Sequence, residues 1–392
     1  MTENNLASSR ELEFKSFQDW NGDRPSLTLI FHDGFSSWWI KVEIAWSLPE
    51  SILKSGCLKR RFMLQEFVKA IDFSQLNLMD DTVTRITLTL AERSHNPIPF
   101  RNIQNDCQRE TNYFLSVAYK TSFDIAEDPG RTLYPILNQA QDIPTFEARQ
   151  LEQEEDIAPT VSIIRFKEKH FAYKTIDRPI YDPGDTEHIL NEITALAQFR
   201  GHPNIAQIIG LVISDSPYKT HPSTTSAPVI TGFLLEYYPE GTLERVLSKD
   251  QDQDDSLLRR WALQTGRALE TLHLQKRTHL DIKPSNIVLD ANRNAILIDI
   301  SGTGGYEWEW LSPEMQTFIQ QNVETAPAST SFDKRVATDC WAYGNLLVIM
   351  AKKTGASCFG KRLQSIGDDL TKMDPRDRIS LSDALERMSG QE

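Results

Sequence analysis

Apolar and polar residues alternate in four runs of the first third of the chain. In SWWIKVEIAW, Ile40, Val42, Ile44 and Trp46 take turns with Lys41, Glu43 and Ala45. In RITLTLAE, Ile86, Leu88 and Leu90 take turns with Arg85, Thr87 and Thr89, and SLTLIF and YFLSVAYK behave alike. A period of two puts one side of a strand in a core and the other outside, so these runs predict β-strands. Between them LKRRFMLQEFVKAI has the spacing of an amphipathic helix. Residues 1–125 are therefore expected to form a β-rich domain of antiparallel strands with one helix. No motif in it points to a role.

The pattern changes after residue 125. EDPG, Pro144 and the charged RQLEQEEDIAP mark 126–158 as an exposed acidic linker. From 159 to 390 strands come first and helices follow. VSIIRF and FAYKTI predict a strand pair, and a helix follows PGDT with Ile189, Ile193 and Leu196 on one face. LVIS and ITGFLLEYY read as further strands. Leu258, Trp261, Thr265, Leu269 and Leu272 predict a long helix from Ser256 to about Lys276. IVLD-ANRN-AILID reads as a hairpin, and WAYGNLLVIMA, apolar nearly all round, as a buried helix. THPSTTSAP and SKDQDQDDS read as surface loops. This order defines an α+β class rather than alternating βαβ units.

Composition narrows the function classes. A chain of 392 residues accommodates roughly two domains of ~150 residues. A net charge of −13 argues against nonspecific nucleic-acid binding. Cys57, Cys107, Cys340 and Cys358 are scattered without metal-ligand spacing, the usage expected of reduced thiols. The polar start has no signal-peptide pattern, and the apolar stretch Leu346 to Ala351 is too short to cross a bilayer. The expectation is a soluble, cytoplasmic protein with no membrane partner and an oligomeric state left open.

Candidate chemistry concentrates in HLDIKPSN at 279–286. Asp281 and Asn286 supply oxygens, and Lys283 supplies a fixed positive charge. A second acid, Asp299, closes the strand AILI after the hairpin, which folds it back toward the loop. Two acids and an asparagine suit a hard divalent ion such as Mg²⁺. Glu192 sits at the edge of its helix's apolar stripe, where a carboxylate needs a partner; Lys174, set among Phe171, Ala172 and Ile176, is the natural one.

With these residues in place, the second part resembles a eukaryotic-type protein kinase domain of the serine/threonine kind. FAYK resembles the family's V-A-I-K, and NEITAL with HPNI the third-helix glutamate region. FLLEYYPEGTL resembles the hinge, with Leu235 at the gatekeeper position. HLDIKPSN resembles H-R-D-L-K-P-x-N, DIS-G the D-F-G turn and SPE at 312–314 the A-P-E motif. DCWAYG resembles D-x-W-S-x-G, and Arg378 the arginine that pairs with the A-P-E glutamate, here Glu314. The resemblance covers about 230 residues. It implies a bilobal protein-kinase-like fold, small lobe 159–237 and large lobe 238–390, preceded by the β-rich domain. It also implies ATP and Mg²⁺ as cofactors and a protein as substrate or partner. Lys174, oriented by Glu192, would hold phosphates, and Glu236 and Tyr238 of the hinge would contact the nucleotide. Asp281 would accept the substrate hydroxyl proton, Lys283 would neutralise the transferring group, and Asn286 and Asp299 would hold the metal. His279 is expected to be a packed core residue, with Asp339 and the Glu314–Arg378 pair structural.

Several positions depart from the family pattern. The glycine-rich loop should fall near 150–160, where QLEQEEDIAPT has no glycine and Glu154, Glu155 and Asp156 are consecutive acids. Carboxylates over phosphates would repel them, which also fits a pseudokinase scaffold that binds nucleotide or a partner without transfer. Leu280 replaces the arginine that pairs with an activation-segment phosphate. Ile300 and Ser301 replace the phenylalanine and glycine of D-F-G. The segment from Asp299 to Glu314 is short and contains GTGG, and QNVETAPASTS lengthens the loop after Glu314.

Overall fold

The computed structural model describes residues 10–20, 23–91, 96–101, 112–137, 143–178, 181–303, 307–322, 326–355 and 357–390. Cys107, part of GTGG and part of QNVETAPASTS lie outside them. The chain divides into two units: 1–137 with 181–183 and 214–229, and 138–180 with 184–213 and 230–392.

The first unit is a five-stranded sheet in the order β1 (Glu11–Trp20), β2 (Asp23–Asp33), β3 (Ser36–Ile44), β4 (Val83–Leu90), β5 (Thr121–Glu127). The alternating residues Leu27, Leu29, Ile40, Val42, Ile44, Ile86 and Leu88 are all buried, as period two requires. They pack with Met63, Leu64, Phe67 and Val68 of the helix Cys57–Ala70. Those four recur at i, i+1, i+4 and i+5, one stripe of a 3.6-residue period.

Two expectations for this unit are corrected. The sheet is not wholly antiparallel: β3 and β4 run parallel, because the chain crosses over through the Cys57–Ala70 helix between them. YFLSVAYK is not a strand. Asn112 accepts from the Phe114 amide at 3.0 Å and caps a helical turn, Tyr113–Ser116, and a 3₁₀ turn, Ala118–Lys120, follows before β5 begins.

Residues 214–229 connect two strands of the second unit in sequence, yet they belong to the first. Thr220 and Asp81 exchange bonds: the Asp81 amide donates to Thr220 Oγ1 at 2.8 Å, and the Thr220 amide donates to Asp81 Oδ1 at 2.9 Å. The Ser37 amide donates to the Thr220 carbonyl at 3.0 Å. Trp39 Nε1 donates to the Pro217 carbonyl at 2.9 Å, and its ring meets Tyr218 edge-on at 5.5 Å. The Tyr218 hydroxyl accepts from the Thr132 amide at 3.1 Å. THPSTTSAP, expected as a plain surface loop, thus starts with a residue that is 1 % exposed.

The second unit contains a six-stranded sheet in the order β6 (Thr145–Glu147), β10 (Ile208–Ser214), β11 (Val229–Glu236), β9 (Lys169–Thr175), β8 (Val161–Phe166), β7 (Glu152–Ala158). Part of the stretch expected as linker is therefore strand. β7 pairs with β8, and β6 runs parallel to β10. Gly210 makes the latter approach possible: a Cβ there would lie 2.5 Å from the Pro144 carbonyl oxygen. The helix Gly184–Gln198 buries Ile189, Glu192, Ile193, Ala195 and Leu196. The helical part follows with Asp255–Leu274, Pro313–Gln321, Phe332–Ala351, Cys358–Leu370 and Leu381–Ser389. The hairpin β12 (Ile287–Leu289) and β13 (Ala295–Leu297) lies where the sequence placed it.

Tyr218 is the most deeply engaged ring of the 214–229 segment, so Tyr218→Ala should lower the stability of the full chain by about 3 kcal/mol. It should also speed protease cleavage inside 214–229. A melting temperature and a cleavage map equal to those of the unchanged protein would show that these contacts are not formed in solution.

Candidate active site

Strand register sets the first functional group. Lys174 of β9 pairs with Phe233 of β11 on one side and Val161 of β8 on the other. Gly232 allows this close pairing, since a Cβ there would lie 2.4 Å from the Lys174 carbonyl oxygen. The ammonium donates to Glu192 Oε1 and Oε2, both at 2.9 Å, and to Asp299 Oδ1. Lys174 and Glu192 are buried. Burial alone would pull the lysine down, but the carboxylates of Asp299 and Glu192 outweigh it and hold its pKa above the usual range. Burial pushes Glu192 up, while Lys174 overcomes the same penalty at Asp299 and holds that carboxyl low.

The loop 279–286 supplies the second group. His279 is fully buried; its ring donates from Nε2 to the Ile298 carbonyl at 2.8 Å and accepts the Asp281 amide at Nδ1 at 3.2 Å. The Ile298 amide donates to the Asn286 carbonyl at 3.1 Å. These bonds tie the end of the hairpin to the loop, and that is how Asp299 returns beside Lys174. Asp339 anchors the loop from below: its carboxylate accepts from the amides of Leu280 (2.7 Å) and His279 (2.9 Å) and faces His273 Nε2 at 2.9 Å. The anchoring matters because Leu280 and Asp299 have φ of +62° and +57°, a left-handed backbone that side chains resist.

Asn286 Nδ2 donates to Asp281 Oδ2 at 2.7 Å and to the Asp281 carbonyl at 2.9 Å. Lys283 Nζ lies 3.2 Å from Asp281 Oδ2 and 2.7 Å from Glu307 Oε1. Its pKa is raised, because these two carboxylates outweigh a burial penalty that acts in the opposite direction.

Lys174, Glu192, Asp281 and Asp299 line one cavity of about 170 Å³. The sequence analysis missed four further lining residues as such: Arg178, His188, Ser301 and Thr303. His188 was legible in principle, since it stands four residues before Glu192 and shares its helix face. Arg178 lies beyond the strand in an irregular stretch that carries no periodicity. The cavity does not reach Glu236 or Tyr238. The Glu236 amide donates to the Gln207 carbonyl at 3.0 Å, and the Tyr238 hydroxyl accepts the Gln207 amide at 3.2 Å. Burial pushes the Tyr238 phenol above its ordinary range.

Two of the three acids of the expected phosphate loop, Glu154 and Asp156, are engaged on their own hairpin. Glu154 faces Arg165 at 3.1 Å and His170 at 3.0 Å, and Asp156 accepts from Ser162 Oγ and Gln153 Nε2, both at 2.6 Å. The register pairs Ala158 with Val161, so a Pro159-Thr160 turn closes where the sequence pattern of the family places glycines.

Divalent-ion fit rests on Asp281, Asn286 and Asp299. Among the described residues no group of three or more His, Cys, Asp or Glu is placed to hold a metal by itself. Two carboxylates and an amide suit an ion that keeps waters or takes phosphate oxygens as its remaining ligands, which is the habit of Mg²⁺.

Strand lysine, helix glutamate, loop aspartate and post-hairpin aspartate thus meet at one cavity, as the resemblance to protein kinases leads one to expect. Residues 160–373, more than half of the chain, match the protein kinase domain, and the chain belongs to the protein kinase family. It is 27 % identical over 177 residues to Integrin-linked protein kinase 1 of Arabidopsis thaliana, covering 43 % of this chain and 33 % of that protein. Mitogen-activated protein kinase 15 of Caenorhabditis elegans is 24 % identical over 46 % of this chain and 37 % of its own length. Serine/threonine-protein kinase ppk21 of Schizosaccharomyces pombe is 23 % identical over 56 % of this chain and 40 % of its own length. The chain thus spans only a third to two-fifths of the length of these relatives. Among the described residues no helix is long and apolar enough to cross a membrane.

The Glu314–Arg378 pair gives a pH test of the fold around the site. Arg378 grips Glu314 with both Nη atoms, at 2.7 and 2.9 Å, and lies 4.9 Å from the Trp341 ring. Burial would raise the Glu314 pKa, but the Arg378 fork and nearby hydrogen bonds outweigh it and lower the value from 4.5. A depressed carboxylate contributes stability above its unfolded pKa and loses it as pH falls through the folded one. Glu314→Gln should therefore cost about 1–3 kcal/mol at pH 7, with the deficit shrinking below about pH 4.5. A deficit independent of pH, measured by chemical denaturation, would show that the pair's charge is not involved.

Proposed function

We propose that this chain is a serine/threonine protein kinase that uses Mg²⁺ and ATP and transfers the γ-phosphate to a protein hydroxyl. The observation that carries this reading is the convergence of Lys174, Glu192, Asp281 and Asp299 on one cavity, with Asn286 bonded to Asp281. Phosphoryl transfer asks a protein for position and charge more than for covalent chemistry. Here Glu192 fixes the direction of the Lys174 ammonium. Asp281, held by the Asn286 amide, takes the proton of the attacking hydroxyl. Lys283, beside that carboxylate, offsets the charge that develops on the transferring group. Asp299 and Asn286 hold the metal, which when bound neutralises phosphate oxygens. Glu236 and Tyr238 sit at the start of the hinge and are assigned the nucleotide base. The similarity to ppk21, a serine/threonine-protein kinase by name, and the lysine two residues after Asp281 support the serine/threonine class. A cytoplasmic setting and a protein partner accompany this reading. Residues 1–125 are assigned a regulatory or partner-binding role, on their separate strand pattern alone.

A second reading, a pseudokinase scaffold, draws on the glycine-free β7–β8 turn and on Lys174 being fully engaged by carboxylates. One experiment separates the two. ATP with Mg²⁺ should raise the melting temperature, by mass action on the folded state. Transfer of labelled phosphate to a generic protein or to the chain itself should fall by about 10³-fold or more in Asp281→Asn. Binding without transfer in the unchanged protein would favour the scaffold, and no shift at millimolar ATP would remove both nucleotide roles.

A further inference from the structure

We infer that Arg178 is a triphosphate clamp that takes over the task left by the missing glycine-rich loop; this rests on the phosphotransfer reading of the same cavity. A phosphate-binding loop works through backbone N–H groups that approach the oxygens closely. The β7–β8 turn contributes Pro159, which has no N–H, and its neighbours Ala158 and Val161 are committed to the strand ladder. The strand ammonium does not fill the gap. Lys174 has three N–H donors, and Glu192 and Asp299 receive bonds equal to that number.

Arg178 is the other permanent cation lining the cavity. Its Nη1 lies 3.1 Å from Asp185 Oδ1, an ion pair that occupies one end of the guanidinium. Its Nε is buried and has no hydrogen-bond partner among the described residues. A buried guanidinium N–H without an acceptor is costly, and at the lining of a cavity a ligand oxygen or a water can supply the missing partner. His188 lines the same cavity, 4.0 Å from Asp185. Three carboxylates, Glu192, Asp281 and Asp299, face two permanent cations, Lys174 and Arg178, in its lining, so the cavity without a metal is anionic. A polyanion then needs both a divalent ion for the carboxylates and a cation of the protein for itself, and the guanidinium, planar and always charged, suits phosphate oxygens.

The test is calorimetric, on the full chain in Mg²⁺, with ATP, ADP and adenosine as probes. Arg178→Met should weaken ATP by about ten- to hundredfold, ADP less, and adenosine by less than about twofold. Arg178→Lys keeps the charge without the fork and should fall between. Asp185→Asn, which frees the guanidinium from its brace, should leave ATP affinity within about twofold or tighten it. A melting curve without ligand reports folding of each variant, and if Arg178→Met does not fold, the lysine variant decides. ATP affinity unchanged in the Arg178 variants overturns the clamp alone. Adenosine weakened as much as ATP, or Asp185→Asn matching Arg178→Met, assigns Arg178 to structure and also overturns it. An unchanged protein that binds no ATP removes the clamp together with the phosphotransfer reading.

Discussion

The Lys174 ammonium, bonded at once to Glu192 and Asp299, is the constraint on which the second unit's chemistry depends. It joins β9, the Gly184–Gln198 helix and the end of the β12–β13 hairpin. Such an arrangement is a poor way to gain stability. Taking charges out of water costs several kcal/mol per ion, and well-packed apolar residues often do as well. Breaking the Lys174–Glu192 pair is worse, at about 3–5 kcal/mol, because the remaining member is left buried, whereas Asp299, its side chain 42 % exposed, keeps contact with water. The triad is therefore better understood as a positioning device. Its members hold one another in place.

The same trade appears in the backbone. Leu280 and Asp299 flank the reactive loop in left-handed conformations, each costing about 1–3 kcal/mol. Asp339 offsets part of this by receiving the Leu280 and His279 amides, and His279 spans from the loop to Ile298. The loop is thus overdetermined from two sides, and Asp281 inherits a fixed direction. Leu280 itself is 4 % exposed. A buried leucine at this place is an apolar anchor of the loop. Lys283 is engaged by Glu307 of the short segment after Asp299, a contact made of two exchangeable surface charges.

How much of this was legible in the sequence depended on whether residue pattern and local structure share a period. Glu192 was readable because a helix places it beside Ile189, Ile193 and Leu196, and Lys174 because a strand must pair a buried ammonium. β1 was missed because ELEFKSFQDW breaks its own alternation: register shifts between Phe14 and Ser16, and again between Gln18 and Trp20, move the apolar side out of phase. YFLSVAYK misled for the opposite reason. Its alternation is real over eight residues, but the Asn112 cap before it starts a helical turn, and capping is a single-residue signal that periodicity ignores. The acids at 154–156 left open a solvent-facing segment or a lid over phosphates, since one-dimensional spacing does not show that Arg165 and His170 receive Glu154 and Ser162 donates to Asp156 on the hairpin. Arg178 lay in the stretch where neither period holds.

The membership of 214–229 in the first unit has a consequence for how the chain folds. The sheet β1–β5 is complete in sequence by Glu127, yet Pro217, Tyr218 and Thr220, which bond Trp39, Thr132 and Asp81, arrive some ninety residues later. During synthesis the strands β6 to β10 emerge in between. The first unit must either wait with those polar groups solvated or fold and then receive the segment. Closing so long a loop costs only slightly more than closing one half its length, about 0.6 kcal/mol per doubling. The penalty is therefore kinetic rather than thermodynamic, because non-local contacts form late. The connection between β10 and β11 is finished only when residues 214–229 have joined the first unit. A cut placed by sequence between 125 and 159 severs a unit that the fold keeps whole.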